Sequence, residues 1–153
     1  MKLKLIIATA VATALAVAAA AAASDSGSAK TTRYGVKFVT DTQIDLGARG
    51  PSVGDLRTFY DVLYDRSGKR VGYGGGVCAV ESLDPPVFSC TVTFWLPGGE
   101  IATQFLTTPG PAPKPLAVTG GTGTYRGVRG DATLVEFGKD KGDTGTVTFR
   151  LTK

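Results

Sequence analysis

The chain has 153 residues, with 17 Lys and Arg against 13 Asp and Glu, no His, two Cys and 21 Gly. This length is enough for one domain with a sizeable core. The absence of His excludes His-based acid–base catalysis and His-ligated metal sites, and two Cys are too few for a thiolate metal cluster. We therefore expect no metal ion, and we predict no other cofactor.

The first 23 residues have the pattern of a secretory signal peptide. Two lysines precede an apolar run that ends at Ala23, and small polar residues follow it. We predict cleavage after Ala23, with Ala29 as a second position and an uncleaved membrane anchor as the alternative. Cleavage removes two lysines and no acid, so the formal net charge falls from +4 to +2. The prediction is a secreted, extracellular protein without a membrane partner.

The remaining charges indicate how the mature chain is organised. Lys and Arg are scattered among Asp and Glu and form no basic stripe, so we do not expect a nucleic-acid partner. We predict that residues 24–32 are disordered and that residues 33–153 form the folded domain.

Eight segments of the mature chain alternate with a period of two, and none has a helical apolar period. Turn residues separate them, and the proline-rich segment Pro109–Pro115 is predicted to be a loop. This pattern predicts an all-β domain, an eight-stranded antiparallel β-barrel, with a β-sandwich as the alternative. The predicted strands are Tyr34–Thr40, Arg57–Tyr64, Val71–Glu81, Phe88–Leu96, Ile101–Thr107, Leu116–Thr119, Gly127–Phe137 and Thr144–Leu151.

The two cysteines flank a predicted hairpin turn. A hairpin centred on Asp84 pairs Cys78 with Cys90 and places both side chains on one face of the sheet. In an oxidising compartment this arrangement predicts a structural disulfide, which contributes about 3 kcal/mol. A reactive thiol is the alternative.

The segment Val118–Gly127 is rich in glycine, but its spacing matches neither the dinucleotide fingerprint nor the P-loop. Together with Gly54-Asp55-Leu56 and Gly76-Val77-Cys78, this segment resembles the allene oxide cyclase and dirigent barrels. The resemblance extends from about Val53 to Leu134. It implies an eight-stranded barrel, commonly a homotrimer, whose apolar cavity holds a small hydrophobic molecule and steers its cyclisation or coupling by confinement.

The resemblance also implies several cavity residues. It places the family's cavity phenylalanine at Phe59, its cavity asparagine at Asp61 and its cavity cysteine at Cys78. The stretch Val36–Val39, where the cyclases carry a glutamate, has no acid.

Alternation along the strands predicts which side chains face the barrel interior. Arg57 shares a face with Phe59 and Asp61, and the hairpin registers add Phe94, Thr103 and Phe105 to a ligand-binding cavity. Trp95 is predicted to face outward, toward a subunit interface or a covered surface patch.

Asp61 is the predicted catalytic residue. A buried carboxylate is costly unless it is paired, and Arg57 is one possible partner. If Asp61 is unpaired, its pKa rises and it becomes a general acid or base. The alternative places Asp61 at the barrel mouth, solvated or in an ion pair, and Glu136 is a weaker candidate for the same role.

Three functions are open at this point, and one of them is an interaction-only role of the outer barrel surface in a trimer. The other two concern the barrel interior. In the first, the barrel steers the cyclisation or coupling of a bound hydrophobic molecule, and an enzyme of this kind would be an isomerase or cyclase. In the second, it is a non-catalytic binding or structural module whose interior is filled by its own side chains.

Overall fold

Eight strands account for most of residues 28–153, the part of the chain that the computed structural model describes. The predicted signal peptide, residues 1–23, lies outside this part. Each strand pairs antiparallel with its neighbours in the chain, and the first closes on the last, so the predicted closed barrel is confirmed and the sandwich is wrong. The strands are β1 Lys30–Ile44, β2 Leu56–Tyr64, β3 Arg70–Leu83, β4 Pro86–Leu96, β5 Gly99–Thr107, β6 Lys114–Gly121, β7 Arg129–Gly138 and β8 Thr144–Thr152.

Six strands, β1 to β6, begin one to four residues earlier than the sequence predicts, and for β1 and β6 this changes a segment that we expected to be irregular. Residues 30–32, which we expected to be disordered, belong to β1, and Lys30 pairs with Leu151 of β8. Closing the barrel gives the backbone groups of this edge their hydrogen-bond partners. The predicted loop Pro109–Pro115 is also too long, since β6 begins at Lys114 and Pro115 pairs with Thr133. Proline is tolerated here because it lies at the beginning of a strand.

Alternate side chains of each strand point into the barrel and form its core. Burial alternates regularly along β4, where every second residue from Cys90 to Leu96 is buried. The fully buried cluster consists of Val36, Leu63, Val92, Phe94, Leu96, Ile101, Leu116, Ala132, Val147 and Phe149. The ring of Phe94 meets that of Phe149 edge to face, with centroids 5.2 Å apart, an arrangement that aromatic pairs favour.

The two ends of the barrel differ in their connections. At the first end, which we call the apolar end, β2–β3, β4–β5 and β6–β7 are joined. The glycine-rich segment lies here and forms a 3₁₀ turn, Gly123–Tyr125, as a corner between β6 and β7. Gly123 has φ +57°, and a Cβ on it would lie only 2.0 Å from the carbonyl oxygen of Gly98. Glycine therefore permits two backbone segments to meet at this end.

At the other end, which we call the charged end, β1–β2, β3–β4, β5–β6 and β7–β8 are joined. The long β1–β2 connection is organised around Asp55, whose buried carboxylate accepts hydrogen bonds from the backbone amides of Leu46 and Ser52, at 2.9 and 2.8 Å. These two bonds lower the pKa of Asp55. The connection is thus held in place by one ionised side chain.

Candidate active site

Asp61 lies on the inner face of β2, between Phe59 and Leu63. It is only 3% exposed, and its neighbours in register are Phe38 on β1 and Gly74 on β3. A Cβ on Gly74 would lie 3.0 Å from the Phe94 ring and 3.8 Å from Asp61 Oδ2. The glycine therefore leaves the space in which the carboxyl group and the phenylalanine ring meet.

The protonation of Asp61 is strongly perturbed. Among residues 28–153, no hydrogen-bond partner is found for its buried Oδ1. Burial disfavours the ionised form, and the nearby acids Glu136 and Asp41 add repulsion, so the pKa of Asp61 rises to about 7. The carboxyl group can therefore both give and take a proton near neutral pH. Because Asp61 is buried and no partner is found for its Oδ1 among residues 28–153, the alternative of a solvated or ion-paired Asp61 carboxylate is wrong.

Arg57 does not pair with Asp61, so that sequence-based expectation is wrong. Its Nε and Nη2 atoms donate to Oδ1 and Oδ2 of Asp41 on β1. Both side chains are about half exposed, at 53% for Arg57 and 45% for Asp41. The ion pair raises the pKa of the Arg57 guanidinium, which stays charged.

A second ion pair lies at the same end of the barrel. Lys114 is 8% exposed, and its Nζ donates to Glu136 Oε2 at 3.0 Å and to the carbonyl oxygen of Gly110 at 2.7 Å. The sequence predicted a role for Glu136 but missed Lys114, because the predicted loop Pro109–Pro115 extends over the first two residues of β6. The pair fixes Glu136 and ties the β5–β6 loop to the barrel.

Five ionisable side chains lie at the charged end of the barrel, and we call this group the charged mouth. Two cations and two carboxylates form ion pairs with each other, so Asp61 is the fifth group and changes the net charge of the site when it titrates. The members are Asp41, Arg57, Asp61, Lys114 and Glu136.

The structure brings some of the predicted cavity residues to the charged mouth and leaves others in the core. Phe59 and Phe105 are partly buried and pack against the core cluster from the mouth side. Phe94 belongs to the core cluster. Thr103 is 2% exposed and donates its hydroxyl to the carbonyl oxygen of Val92 at 3.0 Å. Phe94 and Thr103 thus form the floor below the mouth.

Cys78 and Cys90 form a disulfide on the inner faces of β3 and β4. In register, Cys78 lies opposite Arg57 and Cys90 lies opposite Phe105. The bridge therefore forms part of the wall of the charged mouth. The alternative of a reactive thiol is not supported by this structure.

Two grooves lie on the outer surface of the barrel. One of about 430 Å³ lies between residues 31–34 of β1 and the β2–β3 turn, and one of about 160 Å³ lies on the outer faces of β2 to β5. Neither contains Asp61. In the part of the chain that the structure describes, no cluster of three or more His, Cys, Asp or Glu side chains is arranged to hold a metal ion. No helix of residues 28–153 has the length and apolarity to cross a membrane.

Comparison with known proteins assigns the chain to a family. The family model for the allene oxide cyclase barrel like domain matches residues 36–149. The chain belongs to this family, and the resemblance seen in the sequence is confirmed. Among curated proteins, no match was found.

Several solved structures share the barrel. A pyocyanin demethylase is 36% identical, with a TM-score of 0.69, and the match covers 80% of this chain and 100% of that chain. An exo-specific intermolecular Diels-Alderase is 17% identical, with a TM-score of 0.66 and coverage of 83% and 100%. A pterocarpan synthase dirigent protein is 16% identical, with a TM-score of 0.61 and coverage of 80% and 82%. The last two show the fold alone.

Proposed function

We propose that the charged mouth is the active site of a small-molecule enzyme, in which Asp61 exchanges a proton with a bound ligand. The observation that carries this proposal is the burial of the Asp61 carboxyl group at the inner end of the mouth. Its pKa of about 7 lies near neutral pH, where a group with such a pKa is an effective general acid or base.

The surroundings of Asp61 support a flat, mainly apolar ligand. Phe59 and Phe105 present partly buried rings on the mouth side of the core, and aromatic walls with a few fixed polar groups are typical of small-molecule sites. Glu136 is held by Lys114 and lies close enough to raise the pKa of Asp61. A ligand between the rings would therefore meet one fixed carboxylate and one carboxyl group that titrates.

The relative of 36% identity suggests the first compound to test. It is a pyocyanin demethylase, and pyocyanin is a planar N-methylated heteroaromatic molecule. A planar ligand of this kind suits the two aromatic walls, so we propose compounds of this class as substrates.

Confinement of a substrate is the second candidate function. The cyclase and dirigent resemblance supports it, and a barrel of this fold occurs in a Diels-Alderase and a dirigent protein. In this case the walls hold one conformation of the reactant and Asp61 transfers no proton. The buried acid favours the first candidate, because an ionisable group is costly in a purely apolar site.

The test measures pyocyanin binding by calorimetry and product formation by mass spectrometry for the unmodified protein, Asp61→Asn and Asp131→Asn. Asp131 forms an outer-surface pair with Arg150 and serves as the control. Proton transfer predicts that Asp61→Asn still binds but loses roughly 10²–10⁴-fold in turnover. Confinement predicts that both variants keep their turnover.

A second arm offers the protein an extract of small molecules and identifies what it retains. If the unmodified protein binds neither pyocyanin nor any aromatic compound from the extract, the proposed active site is contradicted. A filled, non-catalytic barrel would then be the better description.

We also propose that the protein is secreted as a mature chain beginning at Ser24. The disulfide Cys78–Cys90 supports this proposal, because such bonds persist in oxidising compartments. N-terminal sequencing of protein recovered from the culture medium should give Ser24 as the first residue. Retention in the membrane with an intact N-terminus would contradict it.

We propose that the homotrimer implied by the family resemblance forms through the outer face of β3 and β4. Tyr73 and Trp95 are each more than 40% exposed, and their rings stack with centroids 5.3 Å apart. An exposed aromatic pair of this kind is typical of a surface that a partner covers. Sedimentation should give three times the chain mass, whereas a monomer at micromolar concentration would contradict the proposal.

A further inference from the structure

The first strand contains a β-bulge that changes which residues face the interior. Phe38 lies opposite Asp61, but the next pair in register is Thr40 with Tyr60, so Val39 is an extra residue. A bulge of this kind reverses the alternation beyond it. Asp41 consequently lies opposite Phe59 and faces inward, whereas an uninterrupted strand would have turned it toward solvent.

The bulge places Asp41 between two groups of β2. Arg57, Phe59 and Asp61 follow one another on the inner face of β2, and Asp41 lies across from the middle one. It is therefore a diagonal neighbour of both Arg57 and Asp61, at a distance that long side chains can reach. Asp41 engages Arg57 through two hydrogen bonds.

We propose that Asp41 is a positioning residue of the active site, which holds the Arg57 guanidinium at the outer part of the mouth and so keeps it away from Asp61. This inference rests on the proposed function only in giving Asp61 the role of proton carrier. The physical reason is desolvation. Arg57 and Asp41 meet where both are about half exposed, whereas a guanidinium at Asp61 would have to be buried.

The charged groups around Asp61 leave Arg57 as the cation that a change at Asp41 would release. The acids near Asp61 are Asp41 on β1 and Glu136 on β7. Arg57 lies on the same face of β2 as Asp61 but is held by Asp41. Lys114 on β6 is held by Glu136 and Gly110. The strands β3 and β4 present Gly74 and Phe94, which carry no charge.

The test is the protonation midpoint of Asp61, measured by NMR on protein with ¹³C-labelled aspartate. Without Asp41, Arg57 is free to pair with Asp61, so Asp41→Asn should lower the midpoint by about 1–3 pH units. Removal of the Asp41 charge alone also lowers the midpoint, so the substitution Arg57→Gln is made both in the unmodified protein and in Asp41→Asn. Arg57→Gln should raise the midpoint by at least about 1 unit more in Asp41→Asn than in the unmodified protein.

Two controls complete the design. Asp41→Glu keeps a carboxylate for Arg57 and should restore the original midpoint. Asp131→Asn breaks an outer-surface Asp–Arg pair with Arg150 and should leave the midpoint unchanged. An equal effect of Arg57→Gln in both backgrounds would overturn the proposal.

A measurement on the unmodified protein gives an independent check. The Nε–H resonance of Arg57 should not follow the protonation of Asp61 if the guanidinium is held by Asp41. A resonance that moves with the midpoint of Asp61 would place Arg57 on Asp61 and overturn the proposal. None of these measurements uses a substrate, so a failure of the proposed function would appear as absent binding with these titrations unchanged.

Discussion

The two halves of the barrel use the same strands for different purposes. Toward the apolar end, inward positions carry Leu63, Ile101 and Phe149, each at most 1% exposed. Toward the charged end, the same inward alternation carries charged residues, such as Arg57 on β2 and Glu136 on β7. Burial of apolar side chains stabilises the fold, whereas burial of the Asp61 carboxylate costs stability. The half toward the apolar end therefore supplies the buried apolar side chains that stabilise the fold, whereas the half toward the charged end carries the ionisable side chains.

The largest effect on stability is expected in the apolar half. Phe149→Ala removes a ring that is 1% exposed and should lower the free energy of unfolding by about 3–5 kcal/mol. The matched change Phe105→Ala, at the partly buried mouth side, should cost clearly less. Denaturant unfolding of both variants measures the difference. Equal losses would contradict the division of the barrel into two halves.

The next largest effect is the pH dependence caused by Asp61. Between its unfolded pKa near 3.8 and its folded pKa of about 7, the folded state holds a proton that the unfolded chain has released. Stability therefore falls as pH rises through this window, by about 4 kcal/mol from this group, and is level above it. Asp61→Asn should remove this part of the pH dependence, as measured by unfolding at pH 4 to 8. An unchanged profile in the variant would contradict it.

The disulfide stabilises the wall of the charged mouth. It joins two cysteines separated by 12 positions in the chain, and Cys78→Ala with Cys90→Ala should lower the free energy of unfolding by about 3 kcal/mol. Thermal unfolding with and without reductant checks this on the unmodified protein. The double variant is the control, since reductant should leave its midpoint unchanged. Equal midpoints for all samples would show that the bridge does not contribute.

The smallest differences concern the two kinds of ion pair. Lys114→Met removes a buried cation and two hydrogen bonds and should cost about 1–3 kcal/mol. Arg150→Met breaks the outer-surface pair with Asp131, where both side chains are nearly half exposed, and should cost less than about 1 kcal/mol. Unfolding free energies for the two variants compare them directly. A larger loss for Arg150→Met would contradict the structural role of Lys114.

The sequence predicted the strands because they follow local rules, whereas closure of the barrel through β1 and β8 joins residues far apart in the chain. Alternation predicted eight strands, and the spacing of Cys78 and Cys90 around the Asp84 turn gave their register, which the structure has. The same alternation predicted that Trp95 faces outward, and it is 42% exposed. Each of these features depends on residues close together in the chain.

The ion-pair partners within the charged mouth could not be predicted in the same way, because they depend on an interruption of the alternation along β1. The bulge at Val39 reverses the alternation, so that Asp41 faces the interior. Asp41 there pairs with Arg57, the cation that we expected beside Asp61. The adjacent apolar residues Phe38 and Val39 do not reveal the bulge, because Phe94-Trp95-Leu96 of β4 shows the same adjacency in a regular strand. Lys114 was missed because prolines on both sides of it indicate a loop.

The protonation midpoint of Asp61 in the intact, disulfide-bonded protein decides whether its carboxyl group can exchange a proton near neutral pH. Labelled aspartate and NMR titration from pH 3 to 9 give this midpoint without any substrate or variant other than Asp61→Asn for assignment. For a buried carboxyl group near Glu136 and Asp41 we expect a midpoint of about 7. A midpoint near 4, the value of an ordinary solvated aspartate, would show that Asp61 is paired or hydrated and would contradict its role as the proton carrier.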